Sequence, residues 1–107
     1  MLLDLDLAAL YGTTTKALNQ AVKRNRNRFP ADFVVRLTKD EAEAVARSRS
    51  QSVILNRGAN IKYPPLGFTE HGAIMAATVL NSPRAVRMSI FVVRAFLRVR
   101  RRGVSRA

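Results

Sequence analysis

The chain predicts an α+β fold: a helix-turn-helix, then a short β-sheet or hairpin, then a C-terminal helical hairpin. Three observations carry that expectation. Apolar residues recur at helical spacing on both sides of Gly12, at Leu7, Ala8, Leu10 and Tyr11 and again at Ala17, Leu18, Ala21 and Val22. The middle of the chain holds short β-branched and aromatic runs set between turn formers. Past Thr69, two apolar helical stretches meet at Ser82-Pro83, a capping serine followed by proline at the first helical position.

Taken in order, Asp4 stands where the first helix wants an N-cap, and Gly12 stands where its end wants a left-handed residue. Thr13, Thr14 and Thr15 offer hydroxyls to the orphan amides of the second helix. That helix sets Lys16, Gln20 and Lys23 opposite its apolar face, flanked by Asn19 and Arg24. Phe29-Pro30 closes the basic run, because proline disfavours helix at the residue before it. Phe33 to Leu37 reads as a strand with Phe33, Val35 and Leu37 on one face. Thr38 and Glu41 have capping-box spacing, opening a helix to about Arg47 with Ala42, Val45 and Ala46 inward. Val53-Ile54-Leu55 and Ile61-Lys62-Tyr63 flank a turn-rich segment, a hairpin with Arg57 and Lys62 near its tip. It reads equally as a DNA-touching wing and as an ordinary solvated hairpin. Thr69 caps a helix to Leu80 whose residues leave almost no polar face, as in a buried helix. The last helix carries Val86, Ile90, Val93 and Leu97 on one stripe and Arg87, Arg94, Arg98 and Arg101 on another. Residues 1–99 are expected to form one domain and 100–107 a basic disordered tail.

Charge narrows the function. The 107 residues hold 19 Lys and Arg against 7 Asp and Glu, for a formal charge of +12. Such a chain repels itself unless it meets a polyanion, and the nucleic-acid backbone is the usual one. No acid occurs from Leu7 to Ala31, and none after Glu70. Asn and Gln pair bidentately with an adenine edge, whereas Lys and Arg hold phosphates. The residues expected to contact double-stranded DNA are therefore Lys16, Asn19, Gln20, Lys23, Arg24, Arg26 and Arg28, with Arg57 and Lys62 from the hairpin. The arginine stripe of the last helix has three readings: a solvated face, a phosphate track, or a surface near a dimer partner. Phe29, Phe33, Phe68, Phe91 and Phe96 sit in or beside apolar runs, which argues against base stacking on an RNA-binding sheet.

Other classes find less support. No stretch approaches the ~20 apolar residues of a membrane span. Asp4 and Asp6 stand where a secretory signal would put cations, so a cytoplasmic location is expected. The absence of cysteine excludes disulfides and thiolate metal sites. His71 is the single histidine, so a two-histidine metal site cannot form. Glu70 and His71 are helical neighbours whose side chains diverge by ~100°. No phosphate-cradling glycine loop is present. The expectation is a protein with no catalytic residues, no metal, no cofactor and no small-molecule substrate.

Four motifs in order, DLDLAALYG from Asp4, LNQAVKRN from Leu18, RFPADF from Arg28 and FTEHG from Phe68, resemble the phage-type ORF-six N-terminal domain, a relative of the KilA-N and Bro-N domains. Asn81 to Val86 and Arg94-Ala95-Phe96 match as well, so the resemblance spans almost the entire chain. It implies a DNA-binding module of phage or bacterial transcriptional regulators and antirepressors, often fused to a variable C-terminal domain. Such domains usually open on a further strand before the first aspartate. Here only Met1-Leu2-Leu3 precede it, so that strand is expected to be missing or its sheet edge unpaired. The effector domain is not in this sequence, which leaves DNA binding as the expectation for the module alone. The runner-up is a protein-interaction module that captures an acidic partner such as a repressor. A homodimer through Ile90, Val93 and Leu97 is expected, since helix-turn-helix modules commonly pair to reach successive grooves.

Overall fold

The tight turn at Gly12 organises the N-terminal half. Gly12 has φ +71°, a conformation that glycine adopts without a Cβ penalty. In the computed structural model, which describes residues 1–48 and 65–105, the turn joins α1 (Asp4–Leu10) to α2 (Thr15–Arg24). Thr14 is the cap of α2, its hydroxyl accepting from the Ala17 amide at 3.0 Å. At the other end the Asn25 side chain donates to the Ala21 carbonyl at 2.8 Å. A 3₁₀ turn follows at Arg26–Arg28, then β2 (Val34–Arg36), α3 (Lys39–Ser48), β3 (Leu66–Phe68), α4 (Glu70–Leu80) and α5 (Pro83–Ser105). The predicted capping box is present, with Thr38 N–H donating to Glu41 Oε1 at 2.8 Å and Glu41 N–H to Thr38 Oγ1 at 3.1 Å. Thr69 caps α4, and Ser82 bonds the Ala85 amide at the start of α5. The fold is α+β.

Several local features differ from expectation. Asp4 is the first residue of α1 and fully buried; Leu3 is the N-cap position and makes no side-chain cap bond. The N-terminal strand is present: Leu2–Leu3 (β1) pairs antiparallel with β3, Leu2 opposite Phe68. In β2, Val34 packs against the main core and Val35 is 37% exposed, while Leu37 beyond it is buried in a second cluster with Leu3 and Ala42. The helix α5 runs to Ser105. Phe91, placed in an apolar run by sequence, is 60% exposed. The hairpin expected at Val53 to Tyr63, with Arg57 and Lys62, lies outside the described residues.

The sheet has order β1-β3-β2, so the buried β3 is its centre. Against it pack α1, α2 and α4, and the main core joins Leu7, Tyr11, Leu18, Phe68, Ala73 and Ala76 to Ala85 and Val92 of α5. The buried residues α4 contributes to this core are the small Ala73, Ala76 and Ala77. Leu3, Leu37 and Ala42 form a smaller cluster under α3.

Tyr11 locks α1 to α4. Its ring is buried and its hydroxyl donates to the Ala73 carbonyl at 2.9 Å. Burial of the phenolate is unfavourable, which pushes the Tyr11 pKa up to about 12. The folded state thus holds this proton more tightly than the unfolded chain does. Stability from this group is complete below pH ~10 and falls as pH rises from there towards 12. Absorbance titration should show one phenol ionising together with alkaline unfolding, and Tyr11→Phe should remove that component. If both tyrosines ionise near pH 10 with the fold intact, the burial argument fails.

Candidate nucleic-acid interface

The outward surface of α2 is built by its inward one. Leu18 and Val22 are buried, which turns Lys16, Gln20 and Lys23 to solvent at helical spacing. All three are exposed, as are Arg24, Arg26 and Arg28 on the helix end and the 3₁₀ turn. Six of the predicted contact residues therefore lie on one continuous stretch of α2 and the turn after it. Lys23 and Arg24 in the last turn also suit the negative end of the helix dipole.

Asn19 behaves differently. It is half-buried, and its Nδ2 donates to Asp4 Oδ2 at 3.1 Å. The same carboxylate oxygen accepts from the Leu66 amide at 3.3 Å. Asp4 thus ties α1, α2 and the central strand together, and the Asn19 amide is turned towards that junction. Its role in this geometry is to position α2 against the sheet.

Beside α2 lies a cleft of about 470 Å³, lined by Asn19, Val22, Lys23, Arg26, Phe29, Val34, Arg36 and Leu66. Its cationic side chains are Lys23, Arg26 and Arg36, and its apolar ones come from α2, the turn and both longer strands. Arg36 was not among the predicted contact residues. Only the pairing of β2 with β3 brings it next to α2, and no local pattern announces that. In contrast, Arg84 of the C-terminal arginines has a structural task, donating from Nε to the Leu10 carbonyl at 3.2 Å and so closing the end of α1. His71 is exposed and stacked on Phe33, ring centroids 5.6 Å apart. Among the described residues, no group of acids and histidine is placed to hold a metal ion, and no helix is long and apolar enough to cross a membrane.

This geometry defines a class: a small α+β domain whose helix-turn-helix presents a basic, acid-free helix beside a cationic cleft. The ORF6N domain model matches residues 1–79, and the chain belongs to that phage-associated family. The match covers every element from β1 through nearly all of α4 and stops short of α5. No curated protein and no solved structure matches the chain.

Proposed function

We propose that the chain is a non-catalytic module that binds double-stranded DNA in a phage or bacterial regulator. The observation carrying this reading is the exposed run Lys16, Gln20, Lys23, Arg24, Arg26 and Arg28, with no acid on α2 or the turn after it. Lys16 and Gln20, in the first two turns, occupy the part of a recognition helix that meets base edges. Lys23, Arg24, Arg26 and Arg28 follow as phosphate ligands, and Arg36 extends that set across the cleft. Operation in the cytoplasm, where the DNA lies, belongs to the same reading. The resemblance to the ORF-six N-terminal domain, which implies a module of regulators and antirepressors, supports a regulatory role, which the module would exercise by directing a fused effector to DNA.

The test is a salt series on random duplex, with single-stranded DNA and an acidic protein as controls. Neutralising about five phosphates gives a log–log slope of affinity against salt near −4 to −5. A slope near zero overturns the proposal, since counterion release accompanies any phosphate neutralisation. Equal capture of the acidic protein would favour the protein-interaction alternative.

A further inference from the structure

The cleft beside α2 has a lining that a DNA backbone alone does not call for. Asn19, Val22 and Lys23 share one ridge of α2, and Arg26 continues it into the 3₁₀ turn. Val34 and Arg36, two apart and so on one face of β2, supply the sheet side with Leu66, the β3 partner of Arg36. Phe29 adds an aromatic ring from the chain between the turn and β2. Val22 and Leu66 are buried and Phe29 and Val34 half-buried, whereas Lys23, Arg26 and Arg36 are exposed. Charge therefore stands towards solvent and the apolar part lies within. No acid is among the described residues that line the cleft, and Asp4, which accepts from the Asn19 amide, is itself fully buried. Its volume of about 470 Å³ is that of a site enclosing a small organic ligand.

We propose that this cleft takes one unpaired nucleotide of the bound DNA, its base among Val22, Phe29 and Val34 and its flanking phosphates on Lys23, Arg26 and Arg36. The inference rests on the DNA-binding reading and deepens it. A fully paired duplex offers the protein phosphates and sugars, which would engage the three cations and leave the apolar hollow unfilled. An aromatic heterocycle joined to phosphates uses both parts of the lining. Apolar and aromatic contact holds a base by its face, whichever base it is. Lys23 and Arg26 belong at once to the exposed basic run and to the cleft. A strand whose phosphates follow that run from Lys16 thus reaches the cleft without leaving its cationic ligands. This continuity selects a nucleotide of the bound strand over a free nucleotide or an acidic peptide. Bringing a base out of the stack costs unpairing and unstacking, and costs least where the base has no partner. The module therefore prefers duplex with a bulged or mismatched base to perfect duplex.

The test uses the full chain and one duplex sequence in three forms: perfect, with a single bulged thymidine, and with an abasic sugar at the bulge. The thymidine bulge should bind ~tenfold tighter than either of the others. The abasic bulge keeps the added flexibility of the backbone, so the difference between the two bulges reports the base. Equal affinity for both bulges overturns the proposal. If the perfect duplex then still shows a salt slope near −4 to −5, the DNA-binding reading stands without it. Absence of binding to any duplex removes both. Phe29→Leu, checked for folding by its melt, should lower the preference for base over abasic bulge by ~threefold or more. Phe29 also packs against the core, so a second measurement needs no variant. With 5-iododeoxyuridine as the bulged nucleotide, irradiation of the wild-type complex should cross-link the DNA at Phe29, and cross-links only at residues outside the cleft refute the proposal. Thymidine monophosphate, or a peptide of alternating glutamate and phenylalanine, binding more tightly than the bulged duplex would assign the cleft to a free nucleotide or to a protein partner and overturn it.

Discussion

Alanine at Gly72 is expected to destabilise the fold by ~3 kcal/mol or more, the upper end of overpacking costs. A Cβ at this position would overlap the carbonyl oxygen of Phe33, a backbone atom rather than the end of a flexible side chain. That oxygen cannot move aside, since it accepts from the Thr69 amide at 3.0 Å and from the Thr69 hydroxyl at 3.1 Å. The α4 cap and the entry to β2 are therefore fixed against each other across the glycine. Helix propensity works the other way, favouring alanine over glycine by ~1 kcal/mol, and it loses to a backbone collision. A drop of ~10–20 °C in the melting midpoint is the expected readout for a domain of this size. If Gly72→Ala melts within ~2 °C of wild type, α4 does not sit on the Phe33 carbonyl as described.

What was legible in the sequence was local. Thr14, Thr38 with Glu41, Thr69 and Ser82 each cap a helix as their spacing predicts, because a cap needs only residues two or three positions away. The strand β3 carries no such local signal. It is three residues long, Leu-Gly-Phe, and is a strand only because β1 and β2 bond to its two edges. Adjacent valines in β2 carry no signal of which one faces in, and only the register against Gly67 and Phe68 decides for Val34. The Asp4–Asn19 bond and the arrival of Arg36 beside Lys23 are likewise tertiary.

The helix α5 shows a different limit. It has two apolar stripes, Ala85, Met88, Val92 and Phe96 on one side and Val86, Ile90, Val93 and Leu97 on another. Periodicity identifies the second stripe but cannot say whether it meets the core or another chain. Packing decides: Ala85 and Val92 are buried in the main core with the alanines of α4, whereas Val86 and Ile90 are half exposed. Seven of the nine predicted contact residues lie among those described, and six of them share the outward side of α2 and its following turn. Asn19 is the exception, since its short amide reaches the buried Asp4.

Replacing Leu18 by alanine should cost ~2–5 kcal/mol, whereas replacing Lys23 or Gln20 should leave the melting curve within ~0.5 kcal/mol of wild type. Leu18 is fully buried in the main core, and its removal leaves a cavity under α2. Lys23 and Gln20 are exposed on the other side of the same helix. Binding should separate them further. If Lys23 holds a phosphate, Lys23→Ala weakens every duplex about equally and makes the salt slope shallower by about 1. If Gln20 reads a base edge, Gln20→Ala leaves random duplex nearly untouched and costs the preferred sequence ~1–3 kcal/mol of discrimination. The experiment pairs thermal melts with competition between the selected site and scrambled duplex. Wild-type binding by Lys23→Ala and Gln20→Ala, with both melting normally, would remove α2 as the DNA-contacting helix. The exposed Arg94 and Arg98 of α5 would then be the next cations to replace. A normal melt for Leu18→Ala would be more damaging still, because the outward direction of Lys16, Gln20 and Lys23 follows from the inward direction of Leu18.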